Sequence, residues 1–325
     1  MSRRGRRGAI ALAALASAML ALGVVRSRRA VRVAAERFPP VGEFVDVDGA
    51  RIHLLRRGAG EALPLVLIHG ADGVLQSFSE TVLDRLAEET LAIAVDRPGH
   101  GWSVAPSRVR RDLALNVRLL RDAVRELGYE RAVLVGQSYG CAVALRWALD
   151  HPDDVAGLVL LSPAAYPAWL RITPVVMAAP AIPVLGPALS EALLPWLGPP
   201  VLARAERRFG FGPNPVPDIY AEYARSFFLR PTQFAALAEE YRYIRRDLGE
   251  MAGRYGEIHV PTLIVSGAED PLTRPSVQAE RLAREIPGAQ LELVPGVGHQ
   301  MLWYAQEQVI EAVREVREAA SAGGA

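Results

Sequence analysis

From residue 65 onward, short apolar runs alternate with amphipathic ones. Residues 65–68, 91–95, 132–135, 158–161, 262–265 and 291–294 are apolar or nearly so, as strands buried on both faces are. Between them, 77–88, 111–127, 139–150, 276–285 and 306–319 carry the helical period. This alternation predicts an α/β fold: a doubly wound, mostly parallel sheet covered by helices on both sides. Ahead of it, 44–47 and 52–55 read as two strands joined at Asp48-Gly49, a hairpin signal. The alternation breaks between residues 165 and 255, which predicts a helical insertion. Its stretch 172–202 holds one charge, Glu191, and seven prolines. That is too proline-broken for a regular membrane span, and an apolar lid and ordinary packing onto the main domain explain it equally well. The expected organisation is an N-terminal segment and linker at 1–40, a core at 41–164 and 256–320, and a cap at 165–255.

The amino terminus has a different character. Arg3, Arg4, Arg6 and Arg7 precede an uncharged run at 8–25, and Arg26, Arg28, Arg29 and Arg32 follow it. As a helix the run is about 27 Å long, enough to cross a hydrocarbon core. The basic flank after it favours an uncleaved, single-pass membrane anchor over a secretory signal, although Ala16-Ser17-Ala18 is an available cleavage site. Arginines on both sides leave the topology undecided.

Composition narrows the chemistry. The 325 residues are half hydrophobic, enough for a large core, and the net charge of +1 gives no field that selects nucleic acid. All 37 basic residues are arginine, which removes a P-loop lysine, a Schiff base and a Ser-Lys dyad. The single cysteine, Cys141, falls on an apolar helix and reads as a small core residue.

The strongest chemical signal is Gly136-Gln137-Ser138-Tyr139-Gly140, a Gly-x-Ser-x-Gly placed between a strand and a helix. Such a turn exposes the serine at the carboxyl end of the sheet, and Gly136 and Gly140 leave room for it. A serine nucleophile needs a base. Of six histidines, only His299, in Gly296-Val297-Gly298-His299 after the last strand, combines a glycine-rich loop with that end of the sheet. His69 and His100 lie near the site without the base's position, and His53, His151 and His259 read as structural. The carboxylate that orients the base is Asp270, on the loop after the penultimate strand, with Glu269 as the alternative. Two backbone N–H groups, those of Ala71 and Tyr139, are the expected oxyanion hole.

Together with His69-Gly70 and the run from Asp96 to Ser103 (Asp-Arg-Pro-Gly-His-Gly-Trp-Ser), these motifs resemble the α/β-hydrolase superfamily over about residues 44–319. The layout, an N-terminal anchor and a cap, is similar to monoacylglycerol-lipase-like enzymes. The resemblance implies a serine hydrolase of carboxylic esters, apolar or lipid-derived, working through an acyl-enzyme without metal or cofactor. Thioester, lactone or carbon–carbon hydrolysis on the same triad, and a non-catalytic binding protein on the same fold, are the alternatives. The serine at the elbow separates the chain from relatives in which an aspartate attacks, such as epoxide hydrolases. Gln300 stands where carbon–carbon hydrolases of aromatic degradation usually carry tryptophan.

Overall fold

The computed structural model of the chain describes residues 3–60, 63–71, 73–106, 110–167 and 185–323. Eight strands form one sheet in the order β1-β2-β4-β3-β5-β6-β7-β8. They are β1 (Glu43–Val47), β2 (Ala50–Arg57), β3 (Leu65–Ile68), β4 (Ala92–Val95), β5 (Ala132–Gln137), β6 (Val155–Leu161), β7 (Thr262–Gly267) and β8 (Gln290–Val294). Among the eight described strands, the pairings β1–β2 and β2–β4 are antiparallel and the rest parallel. The β1–β2 hairpin closes through Asp48 and Gly49, with φ of 42° and 74°. Val47 pairs with Ala50 across that two-residue turn, which demands positive φ at both positions.

Alternate residues of the parallel strands feed two cores. Val66, Ile68, Ile93, Val95 and Leu134 pack under α4 (Leu113–Glu126) and α5 (Tyr139–Asp150), and α9 (Ala279–Glu285) adds to this layer. Leu65, Leu67, Ala92, Ala94, Val133 and Val135 pack on the other face, under α2 (Gln76–Ser79), α3 (Leu83–Ala87), α10 (Met301–Tyr304) and α11 (Gln306–Ala322). This is the doubly wound arrangement expected from the pattern. The chain reverses its direction of strand addition between β3 and β5, so the loops after these strands flank a crevice at the sheet's carboxyl end.

Between β6 and β7 lies the helical cap, described from α6 (Leu185–Ala205) through α7 (Asp218–Phe228) to α8 (Pro231–Met251). The first part of the apolar stretch, up to residue 184, falls outside the described residues apart from its approach at 165–167. The second part is α6, continuous through Pro195, Pro199 and Pro200. It buries Ala192, Leu194 and Leu202 and leaves Leu193, Leu197 and Val201 on an exposed stripe.

One expectation is overturned. Among the described residues no helix is long and apolar enough to cross a membrane, so the single-pass anchor at 8–25, with the membrane as its partner, is not supported. The apolar run is instead part of one 35-residue helix, α1 (Arg3–Arg37), that continues without a break through the basic flank. Its second half lies against the cap. A Cβ on Gly23 would stand 1.9 Å from the Ala192 carbonyl oxygen, and Ser27 and Ala34 are buried. Arg26 stacks over Trp196, Arg28 pairs with Glu191, and Arg37 pairs with Glu222. In that half, Gly23, Ser27 and Ala34 are the small residues that meet protein.

Candidate active site

Ser138 sits between β5 and α5 with φ 54° and ψ −112°, a conformation rarely adopted by residues other than glycine. Three backbone hydrogen bonds hold it there. Its N–H donates to the Leu161 carbonyl at 2.9 Å, and its carbonyl accepts from Cys141 N at 3.0 Å and Ala164 N at 3.2 Å. The flanking glycines are required by contact. A Cβ at Gly136 would lie 2.6 Å from Cys141 N, and one at Gly140 would lie 2.0 Å from the Ile68 carbonyl oxygen. Cys141 is buried, its Sγ donates to the Gly136 carbonyl at 3.1 Å, and burial pushes the thiol pKa up, so it is a packing residue here.

Asp270 and His299 meet on the loops after β7 and β8. His299 Nδ1 donates to Asp270 Oδ2 at 2.7 Å. The carboxylate also accepts from Leu272 N at 2.7 Å, Thr273 N at 3.1 Å and Thr273 Oγ1 at 2.6 Å. Burial alone would raise its pKa, but His299 and Thr273 more than offset that and hold it below the usual value. A carboxylate accepting at Nδ1 sets the tautomer, leaving Nε2 as the unprotonated ring nitrogen. Glu269, the alternative acid, is turned away: its Oε2 accepts from Gly296 N at 2.8 Å and steadies the histidine loop. The cap reaches the same loop. Asn214 Nδ2 donates to the Gly296 carbonyl at 3.0 Å, and its Oδ1 accepts from Gly298 N at 3.2 Å.

The turn after β3 passes close to Ser138. A Cβ at Gly70 would lie 3.2 Å from Ser138 Cβ, so Gly70 and the buried Ala71 adjoin the elbow, while Tyr139 is the first residue of α5. Asp96 stabilises this region. It accepts from Leu75 N at 2.8 Å, Trp102 N at 2.9 Å and His53 Nδ1 at 2.7 Å. His53 is therefore engaged by a carboxylate of its own, on the β2 side of the sheet. His69 and His100 lie with Arg97 and Glu240 in a fully buried cluster.

An aromatic group fills the space between cap and loops. Phe211, Tyr220, Tyr223 and Phe227 form one cluster with Val74, and Trp102 and Trp303 pack against it. Val74 is three residues past Ala71, and Trp303 is four past His299. Among the described residues no group of three or more His, Cys, Asp or Glu is arranged to hold a metal ion.

Comparison with known proteins places this geometry. The model of the alpha/beta hydrolase family matches residues 65–313. The chain belongs to the alpha/beta hydrolase family. It is 26% identical to an epoxide hydrolase 3 of Xenopus tropicalis over 83% of this chain and 75% of that one. It is 28% identical to a 2-hydroxymuconate semialdehyde hydrolase of a Pseudomonas species (strain CF600), over 82% of this chain and 90% of that one. An esterase structure from Exiguobacterium antarcticum superposes with a TM-score of 0.68 at 25% identity, covering 86% of this chain and all of the esterase. This alpha/beta hydrolase is accordingly a hydrolase by family.

The contacts of Asn214 with the loop before His299, and of Glu240 with Arg97 and His100, were not legible in the sequence. Asn214 lies in a loop with no pattern. Glu240 leaves a trace, because it falls on the buried stripe of α8 (Leu237, Glu240, Ile244, Leu248, Met251), where an acid needs a buried partner.

Proposed function

We propose that the protein is a serine hydrolase of carboxylic esters, with Ser138 as nucleophile, His299 as base and Asp270 as the group that orients and stabilises the imidazolium. The observation that carries this reading is the His299–Asp270 hydrogen bond, formed at the same end of the sheet as the strained elbow serine. In the reaction His299 Nε2 takes the Ser138 proton as Oγ attacks the carbonyl. The N–H groups of Ala71 and Tyr139 receive the oxyanion, and His299 returns the proton to the departing alcohol. Water, deprotonated by the same nitrogen, then releases the acid from the acyl-enzyme. The aromatic cluster that the cap forms against Val74, Trp102 and Trp303 supports an apolar acyl or alcohol group, as from lipid-derived esters.

The likeness to a 2-hydroxymuconate semialdehyde hydrolase favours carbon–carbon hydrolysis on the same triad as the second reading. Likeness to an epoxide hydrolase does not extend to its reaction. A serine that opened an epoxide would be left as an ether with no carbonyl for water to attack, and turnover would stop. The test is steady-state turnover of p-nitrophenyl butyrate beside that of 2-hydroxymuconate semialdehyde, with Ser138→Ala as control. Ester turnover at the higher kcat/KM, lost in the variant, is the expected result; preferred cleavage of the semialdehyde selects the second reading.

A further inference from the structure

A fully buried ionic cluster ties the cap to the turn that carries Ala71. Glu240, from α8, pairs with Arg97 Nη1 and accepts from His100 Nε2 at 3.1 Å and Asn116 Nδ2 at 3.3 Å. The other side of the guanidinium faces the active site: Arg97 Nη2 donates to the Gly70 carbonyl at 3.1 Å. The same oxygen accepts from His69 Nδ1 at 2.8 Å and Gly73 N at 3.2 Å. His69 is fixed in this role, because its Nε2 accepts from Arg97 N at 3.0 Å. Burial, and then Arg97 and His100, hold its pKa well below the usual histidine value, so it stays neutral.

Three donors on one carbonyl have a geometric consequence. The Gly70 oxygen and the Ala71 N–H belong to the same planar, trans peptide unit and point in opposite directions. Pinning the oxygen therefore aims the N–H. A cationic donor on the carbonyl also polarises the amide and strengthens its N–H as a donor. The guanidinium also packs on the residue that supplies the second expected donor, since Arg97 Cζ stands 4.3 Å from the centre of the Tyr139 ring. One buried cation thus touches the peptide unit that carries the Ala71 N–H and the side chain of Tyr139, and its counter-charge comes from the cap.

We infer that Arg97 and Glu240 are positioning residues: through the Gly70 carbonyl and the Tyr139 ring they align the oxyanion hole, and they couple its alignment to the seating of α8. The inference rests on the ester-hydrolase reading above. It gives a cap helix a role in the rate of chemistry in addition to any role in substrate choice. Misaligning one donor costs on the order of 10–100-fold, less than deleting it.

The experiment compares Glu240→Gln and Arg97→Lys with Asp247→Asn. Glu240→Gln keeps the shape and removes the charge. Arg97→Lys keeps the charge but lacks the fork that spans Glu240 and Gly70. Asp247, on the same helix and buried, accepts from Leu113 N at 3.0 Å and ties cap to core with no hydrogen bond to Gly70 or Arg97 among the described residues. For each, kcat and KM are measured on p-nitrophenyl butyrate, together with Ki for an alkyl trifluoromethyl ketone, whose adduct with Ser138 is an oxyanion, and the unfolding midpoint. Glu240→Gln and Arg97→Lys are expected to lower kcat by about 10–100-fold with KM within about twofold, and to raise Ki by a similar factor. Asp247→Asn should lower the unfolding midpoint comparably while keeping kcat within about twofold. Unchanged kcat and Ki in both Glu240→Gln and Arg97→Lys, or losses that only track the folded fraction, overturn the positioning role. A wild-type protein without ester turnover overturns the esterase reading itself, and this inference with it, so the two failures are distinct.

Discussion

Asp270→Asn isolates the part of the site that geometry constrains most. Asp270 accepts four hydrogen bonds, two from backbone N–H groups that cannot move, one from the Thr273 hydroxyl and one from His299 Nδ1. An amide has one oxygen and one NH₂ group. If the oxygen keeps the bonds to Leu272 and Thr273, the NH₂ occupies the place of Oδ2. The Thr273 hydroxyl can rotate to accept, but His299 can accept there only by moving its proton from Nδ1 to Nε2. That tautomer presents an N–H to Ser138 and cannot take its proton. The expected cost is about 10⁴-fold in kcat, or roughly 5.5 kcal/mol of transition-state stabilisation. Glu269→Gln keeps an oxygen for Gly296 N and should cost under about fivefold. The assay is kcat on p-nitrophenyl butyrate, with circular dichroism to show that both variants fold. Asp270→Asn within tenfold of wild type, or Glu269→Gln the more damaging of the two, would refute the tautomer argument.

Three further outcomes follow from the same contacts. Stability should fall in mild acid. His69 and His100 are held below the usual histidine range by burial and by Arg97, so as the pH drops below about 6.5 the unfolded chain takes up their protons first, at about 1.4 kcal/mol per pH unit for each. Burial raises the pKa values of Glu240 and Asp270, but Arg97 and His100 for the first and His299 for the second bring them down. Their contribution is therefore present above about pH 4 and lost only as the pH falls through the depressed values. Urea midpoints that stay level from pH 8 to 5.5 would contradict this. Gly140→Ala should cost more than about 3 kcal/mol, because its Cβ would meet the Ile68 carbonyl at 2.0 Å, while Gly288→Ala, with φ 73° and open space, should cost about 1 kcal/mol; equal unfolding midpoints would oppose it. Along p-nitrophenyl esters from acetate to octanoate, kcat/KM should rise by up to about 0.8 kcal/mol per methylene, as burial against the aromatic cluster predicts, and a steady fall from acetate would mean a short pocket.

How much of this could be read from the chain depended on whether a feature was local. Strands buried on both faces announce themselves by composition, so β3, β5 and β7 lie where the apolar runs place them. The elbow was equally legible, because both of its glycines are required by contacts with the strand and helix beside them. Nearby boundaries were less so. β6 begins at Val155, three residues before the apolar run suggests, and includes Gly157, which is small because the Val316 side chain packs where its Cβ would stand, 2.5 Å away. The expected helix at 77–88 divides into α2 and α3.

Non-local features were harder. The prolines of the 172–202 stretch argue against a regular membrane span, and do not reveal that α6 runs unbroken through three of them while packed on α1. The apolar run at 8–25 has the length of a membrane span when read alone, and nothing within it reveals that α1 continues and lies against Ala192 and Trp196. Glu240 meets Arg97 across 143 residues, a pairing that periodicity can hint at but not assign.

Covalent capture of the nucleophile tests the central claim most directly. The wild-type protein is treated with an alkyl fluorophosphonate, digested, and the adduct located by mass spectrometry, in parallel with Ser138→Ala and His299→Ala. The account predicts one phosphonyl group per chain, on the peptide containing Ser138, no adduct in Ser138→Ala, and a rate lowered by several orders of magnitude in His299→Ala. An adduct that persists in Ser138→Ala, or an esterase-active protein whose Ser138 stays unlabelled, would contradict it.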